Sequence, residues 1–165
     1  MTDRLWRALL FVLYRGLRVW WFVRRPAVAG AFVAVWVGDR LLLVRNSYRH
    51  GETLPCGTIA RRESPRQAAR RELEEEVGLR VGEDELTFAA ELVVRHEFKE
   101  DHAFVYELAL DAAPEIRVDR REVVSAELVR EADLEARPLV PQVRAYLDWR
   151  RGGSAAPRGG ESPPG

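Results

Sequence analysis

The sequence predicts an α/β domain preceded by an amphipathic helix, and three observations carry that prediction. Apolar residues recur with period two in paired short stretches, the pattern of strands. A helix with readable ends lies between them at residues 64–78, and a second closes the region at 140–150. Residues 4–25 place arginines along one face of a helix and tryptophans and leucines opposite.

The first element, RLWRALLFVLYRGLRVWWFVRR, puts Arg4, Arg7, Arg15 and Arg18 on one narrow face. Trp6, Leu9, Leu10, Leu13, Leu17, Trp20 and Trp21 spread over the other side, while Phe11 and Phe22 intrude among the arginines. A membrane span would bury arginines at up to about 3 kcal/mol each. A signal peptide fits poorly, because the longest uncharged run, Ala8–Tyr14, ends far from the small residues Ala27-Val28-Ala29. Two readings stay open: a helix lying peripherally on anionic lipid, and one packed on the domain or in a dimer.

After Pro26, Ala31–Val37 and Leu41–Arg45 read as a hairpin about Gly38-Asp39. The loop Asn46–Thr53 follows. Ser64 caps the next helix, Pro65 suits its first turn, Gln67 completes a capping box and Gly78 supplies the left-handed stop. Leu86–Arg95, His102–Leu110 and Glu122–Val129 read as strands. Val140–Arg150 reads as a helix with Pro141 in its first turn and Val143, Tyr146, Leu147 and Trp149 apolar. The stretch GGSAAPRGGESPPG has the composition of a disordered tail. The expected organisation is an amphipathic helix at 1–26, an α/β domain at 27–151 and a disordered tail at 152–165.

The chain's 165 residues suit one domain with a real core. A formal net charge of +0 provides no field to attract a nucleic acid polymer, and none is expected as a partner. Cys56 is the single cysteine, which excludes an internal disulfide and fits a reducing, cytoplasmic compartment.

One stretch resists a bland reading. In RRELEEEVGL, Glu72, Glu74, Glu75 and Glu76 crowd the last turn of a helix, where the dipole disfavours anions by about 0.3–1 kcal/mol each. Arg70 and Arg71 stand four residues before Glu74 and Glu75, the weaker order for helical pairs. At about 100° per residue, Glu72, Glu75 and Glu76 share one face and Glu74 points away. A hard divalent cation turns that repulsion into attraction, and Mg²⁺ shares its remaining positions with water and phosphates.

Upstream residues extend the pattern. Gly57, five residues, Glu63, seven residues and then Arg71-Glu72-Leu73-Glu74-Glu75-Glu76-Val77-Gly78-Leu79 fill every fixed position of a 23-residue window. This resembles the Nudix box, a specific signal. The resemblance, motif-grade only at 57–79, implies a Nudix-type α/β/α sandwich with a mixed central sheet over residues 28–150. It also implies a pyrophosphohydrolase that cleaves the acid anhydride bond of a nucleoside diphosphate linked to another moiety, with Mg²⁺ or Mn²⁺. The small-molecule diphosphate would be its partner.

By the same resemblance Glu72, Glu75 and Glu76 match the metal-binding acids, and Arg71 the arginine that orients them. Glu63 matches an accessory acid, and Gly57 the loop whose carbonyl contacts metal. Glu75 and Glu76 are the candidate bases, with Glu97, Glu100, Asp101 and Glu122 as candidates outside the box. Arg45, Tyr48 and Arg49 lie before the box, where relatives bind the leaving moiety, and Arg95 with His96 could reach a phosphate. The sequence departs from the family at Cys56, Ala60 and Arg62, where a glycine, an acid and a glycine are common. Those departures motivate an alternative, a non-catalytic module that binds a nucleotide or partner.

Overall fold

The computed structural model describes residues 6, 9–17, 20, 27–96, 99–118 and 122–152. Residues 9–17 form helix α1. Then follow β1 (Ala27–Val37), β2 (Arg40–Asn46), β3 (Cys56–Thr58), α2 (Pro65–Val77), β4 (Thr87–His96), β5 (Lys99–Leu110), β6 (Val123–Arg130) and α3 (Pro141–Arg150). The sheet runs β4-β5-β1-β2-β6, with β3 paired to β1. β1 and β5 are parallel, whereas the remaining pairings are antiparallel, so the sheet is mixed.

The middle strand explains the layering. Ala31 to Trp36 of β1 are all buried, as expected of a strand covered on both faces. Ala31, Val33 and Val35 pack with Ala68, Ala69, Leu73 and Val77 of α2. Phe32, Ala34 and Trp36 face the other way, into a cluster with Val143, Tyr146 and Leu147 of α3. Strand alternation thus sends successive side chains into two cores, and the α/β/α sandwich follows. Tyr146 is fully buried; its hydroxyl accepts from Trp36 Nε1 at 2.9 Å and donates to Glu107.

The local signals are realised where they were written. Gly38 turns the hairpin with φ +58. The Ser64 hydroxyl accepts from the Gln67 amide at 3.1 Å, the Gln67 side chain returns the contact at 3.0 Å, and Gly78 closes α2 with φ 73. The short strand β3 and the 3-10 turns Glu83–Glu85 and Glu131–Ala136 had no expectation from periodicity.

Of the expected N-terminal face, Arg4, Arg7, Arg18, Trp21 and Phe22 lie outside the described residues. Among the described residues, no helix is long and apolar enough to cross a membrane. The expected tail lies outside them from residue 153 onward.

Candidate active site

α2 carries the acids, and β3 with its flanking loop supplies the surface they face. Glu76 is 4% exposed and accepts a hydrogen bond of 2.9 Å from the Cys56 amide. The Asn46 side chain bonds the same carboxylate. Burial pushes its proton affinity well above the ordinary carboxyl value, and the negative charges of Glu72 and Glu122 push it the same way. Glu72 is also raised, first by burial, with Arg71 opposing and with Glu75 and Glu122 adding to the rise. Its carboxylate lies against Gly57, in the space that a β-carbon there would fill. This close approach is what the glycine permits.

Arg71 organises the other side. Its guanidinium donates to both oxygens of Glu63 at 2.8 and 3.0 Å, to Glu75 at 3.2 Å, to Glu72, and to the Thr58 carbonyl at 3.1 Å. Hydrogen bonding to Arg71 holds Glu63 below the usual carboxylate range, and the Ala60 amide adds to this. The planar fork of arginine suits such bidentate contact. Glu75 is the exposed member, and Glu74 turns away to Arg80 at 2.7 Å. Among the described residues, no three acidic, histidine or cysteine side chains are gathered about one point. Arg71 stands between Glu72 and Glu75, while Glu76 is held toward the Cys56 amide.

A cavity of ≈ 490 Å³ opens beside this loop, bounded by α1, the loop after β2 and the Cys56–Thr58 strand. Tyr48 lines it, and its hydroxyl donates to Glu122 Oε1 at 2.8 Å. Tyr14 of α1 packs on Tyr48 with ring centroids 5.2 Å apart and accepts from Arg49 Nε at 3.4 Å. Burial, with Glu76 nearby, pushes the Cys56 thiol up to about 12, so it stays neutral.

The residues expected to bind substrate separate into two groups. Tyr48 lines the cavity, whereas Arg45 lies exposed on β2 and Arg95 pairs with Glu100 at 3.1 Å near the end of β4. His96 closes β4, and its side chain lies outside the described residues, as does Glu97. Of the acids beyond the box, Asp101 and Glu122 line the cavity and Glu100 is engaged by Arg95 and His102. Asn46 and the α1 residues Leu10 and Tyr14 were not anticipated here. Asn46, expected to begin the loop after the hairpin, is instead the buried last residue of β2.

Fold and box together define a Nudix hydrolase. The chain belongs to the NUDIX domain family, whose sequence model matches residues 25–150. Among curated proteins, no sequence matches it. It is similar to the MutT NUDIX hydrolase of Burkholderia pseudomallei, at 23% identity and a TM-score of 0.66, covering 74% of this chain and 96% of that one. The MutT protein of Methanosarcina mazei Go1 is 19% identical with a TM-score of 0.65, covering 79% and 98%. A bifunctional NMN adenylyltransferase/ADP ribose pyrophosphatase of Francisella tularensis reaches 0.69 at 17% identity, covering 86% of this chain and 47% of that one. At these identities the likeness is one of fold.

Proposed function

We propose that the chain is a divalent-metal-dependent pyrophosphohydrolase that cleaves the anhydride bond of a diphosphate linked to another moiety. The observation that carries this reading is the pairing of two box carboxylates, buried Glu76 and half-buried Glu72, both with proton affinity raised chiefly by burial. Carboxylates whose neighbours and burial disfavour their charged form cost folding energy, and such groups cluster where chemistry is performed.

The donor set fits Mg²⁺ or Mn²⁺, which prefer oxygen ligands. Glu72, Glu75 and Glu76 would hold the ion, with Glu63 and the backbone at Gly57 completing its surroundings. When bound, the ion neutralises charge on the phosphate oxygens and acidifies water. Glu76, whose burial favours its protonated form, is suited to accept a proton from the attacking water, and exposed Glu75 is the second candidate. Arg71 holds Glu63, Glu72 and Glu75 in register. In this reading residues 27–151 form the hydrolase domain, and the lone, neutral thiol of Cys56 fits a cytoplasmic setting.

Incubation with a panel of diphosphates and Mg²⁺ or Mn²⁺, comparing the unmodified chain with Glu76→Gln, tests the assignment. Loss of phosphate release in the variant is expected; equal release would remove Glu76 from the reaction.

Exposed apolar side chains on α1 and beside it support peripheral contact with a membrane surface. Trp6, Leu9, Val12 and Trp20 are each between 46% and 65% exposed, too many apolar side chains for a helix facing only water. Val12→Asp should reduce co-sedimentation with anionic vesicles; unchanged sedimentation would favour dimerisation through the same face.

A further inference from the structure

Helix α1 presents Leu10, Leu13, Tyr14 and Leu17 to the cavity, at the i, i+3, i+4, i+7 spacing of one helical face. Val28 and Phe32 of β1 add to the apolar lining. The box loop Cys56–Thr58 also lines it, so a ligand whose phosphates lie at the box extends its other end toward these side chains.

We propose that this cavity takes a hydrocarbon chain, and that the substrate is the diphosphate ester of an apolar alcohol, such as an isoprenoid, rather than of a nucleoside. The inference rests on the hydrolase reading and specifies the moiety that the diphosphate carries.

Two features separate the hydrocarbon from a nucleobase. A base presents hydrogen-bonding edges and needs donors and acceptors to meet them. Here the Tyr48 hydroxyl is spent on Glu122, Arg49 donates to the Tyr14 hydroxyl, and Asp101 accepts from Gln142 at 2.6 Å. The Asn46 side chain bonds Glu76 at the box end. Among the described residues, its Oδ1 is the one buried polar side-chain atom of this lining without a hydrogen-bond partner, a single acceptor where a base edge needs several groups. A base also stacks best between parallel rings, whereas Tyr14 and Tyr48 meet at 55° and pack on each other. The leucines, Val28 and Phe32 offer only dispersion and water exclusion, which a hydrocarbon uses fully. The volume of ≈ 490 Å³ lies in the range of small-molecule pockets.

The reaction balances with one water. Its oxygen bonds to one phosphorus as the bridging oxygen leaves with the other, giving an alkyl monophosphate, inorganic phosphate and a released proton.

Calorimetric titration of the full chain with geranyl diphosphate and, separately, ADP-ribose, in excess EDTA so that nothing is cleaved, tests the inference. Geranyl diphosphate should bind more tightly. The double variant Leu13→Asn, Leu17→Asn should weaken it about tenfold while leaving ADP-ribose unchanged. Both leucines are exposed on α1, at 59% and 42%, so the domain should fold regardless. Tighter binding of ADP-ribose, binding of neither compound, or no effect of the variant on geranyl diphosphate would overturn the assignment. A parallel incubation with Mn²⁺ separates the two claims. Geranyl diphosphate that binds as expected but is never cleaved would contradict the hydrolase reading and leave the pocket assignment standing.

Discussion

The Glu72 carboxylate lies against the backbone of Gly57, where any side chain at position 57 would displace it. The atoms in the way are the far end of a flexible side chain, so Gly57→Ala should leave the fold intact and move the carboxylate. Misplacing an active-site group by about 1 Å can cost on the order of a hundredfold. Diphosphate hydrolysis by Gly57→Ala should fall by about that factor while the melting temperature stays close to that of the unmodified chain. A variant that melts normally and turns over normally would show that Glu72 need not sit there.

Glu76 gives the protein a pH signature in the absence of metal. Its folded-state proton affinity is raised above the ordinary carboxyl value of 4.5 by burial and by Glu72 and Glu122. A raised acid contributes stability that is complete below its unfolded value and is lost as pH rises through the folded one. Melting in EDTA should therefore show a loss as pH climbs above 4.5 that is smaller in Glu76→Gln, where only the raised Glu72 remains. Glu63, lowered by Arg71, acts oppositely: its contribution is present above 4.5 and lost as pH falls below it. The two windows do not overlap, so the difference between the unmodified chain and Glu76→Gln isolates the first. An identical pH dependence would contradict the raised affinity.

Arg62 is the single non-glycine with positive φ among the described residues, at 68°. Left-handed backbone costs an ordinary residue roughly 1–2 kcal/mol, part of which a glycine's extra unfolded-state freedom offsets. Arg62→Gly should raise stability by about 0.5–1 kcal/mol, roughly 1–4 °C in melting temperature. A fall in melting temperature would mean that the Arg62 side chain makes a contribution outweighing its backbone.

Arg71 joins Glu63, Glu72, Glu75 and the Thr58 carbonyl through one planar group. Lysine keeps the charge but cannot match that fork. Arg71→Lys should reduce kcat/KM by about 10–100-fold, the range for groups that orient metal ligands. Full activity in the lysine variant would reduce the role of Arg71 to charge alone.

How much of this was legible in the sequence depends on range. The ends of α2 and the hairpin turn were readable because Ser64, Gln67, Gly78 and Gly38 act within a few residues of their partners. The box acids were readable because their spacing on α2 is a local regularity. The parallel pairing of β1 with β5 joins residues far apart in the chain and leaves no periodic trace, so the sheet order came only from the fold. For the same reason the contacts of Asn46 with Glu76, of Tyr48 with Glu122 and of Tyr14 with Tyr48 were invisible. β3 spans three residues, too short for alternation to register. Arg62 was noted as a departure from a common glycine, and its positive φ gives that departure a physical cost.

The most direct measurement is titration of the full chain with Mn²⁺, followed by electron paramagnetic resonance, alongside Glu72→Gln and Glu76→Gln. If the box carboxylates hold a divalent ion, the unmodified chain should take up Mn²⁺ and each variant should bind it at least tenfold more weakly, roughly 1.4 kcal/mol. Equal uptake by all three proteins would contradict the account.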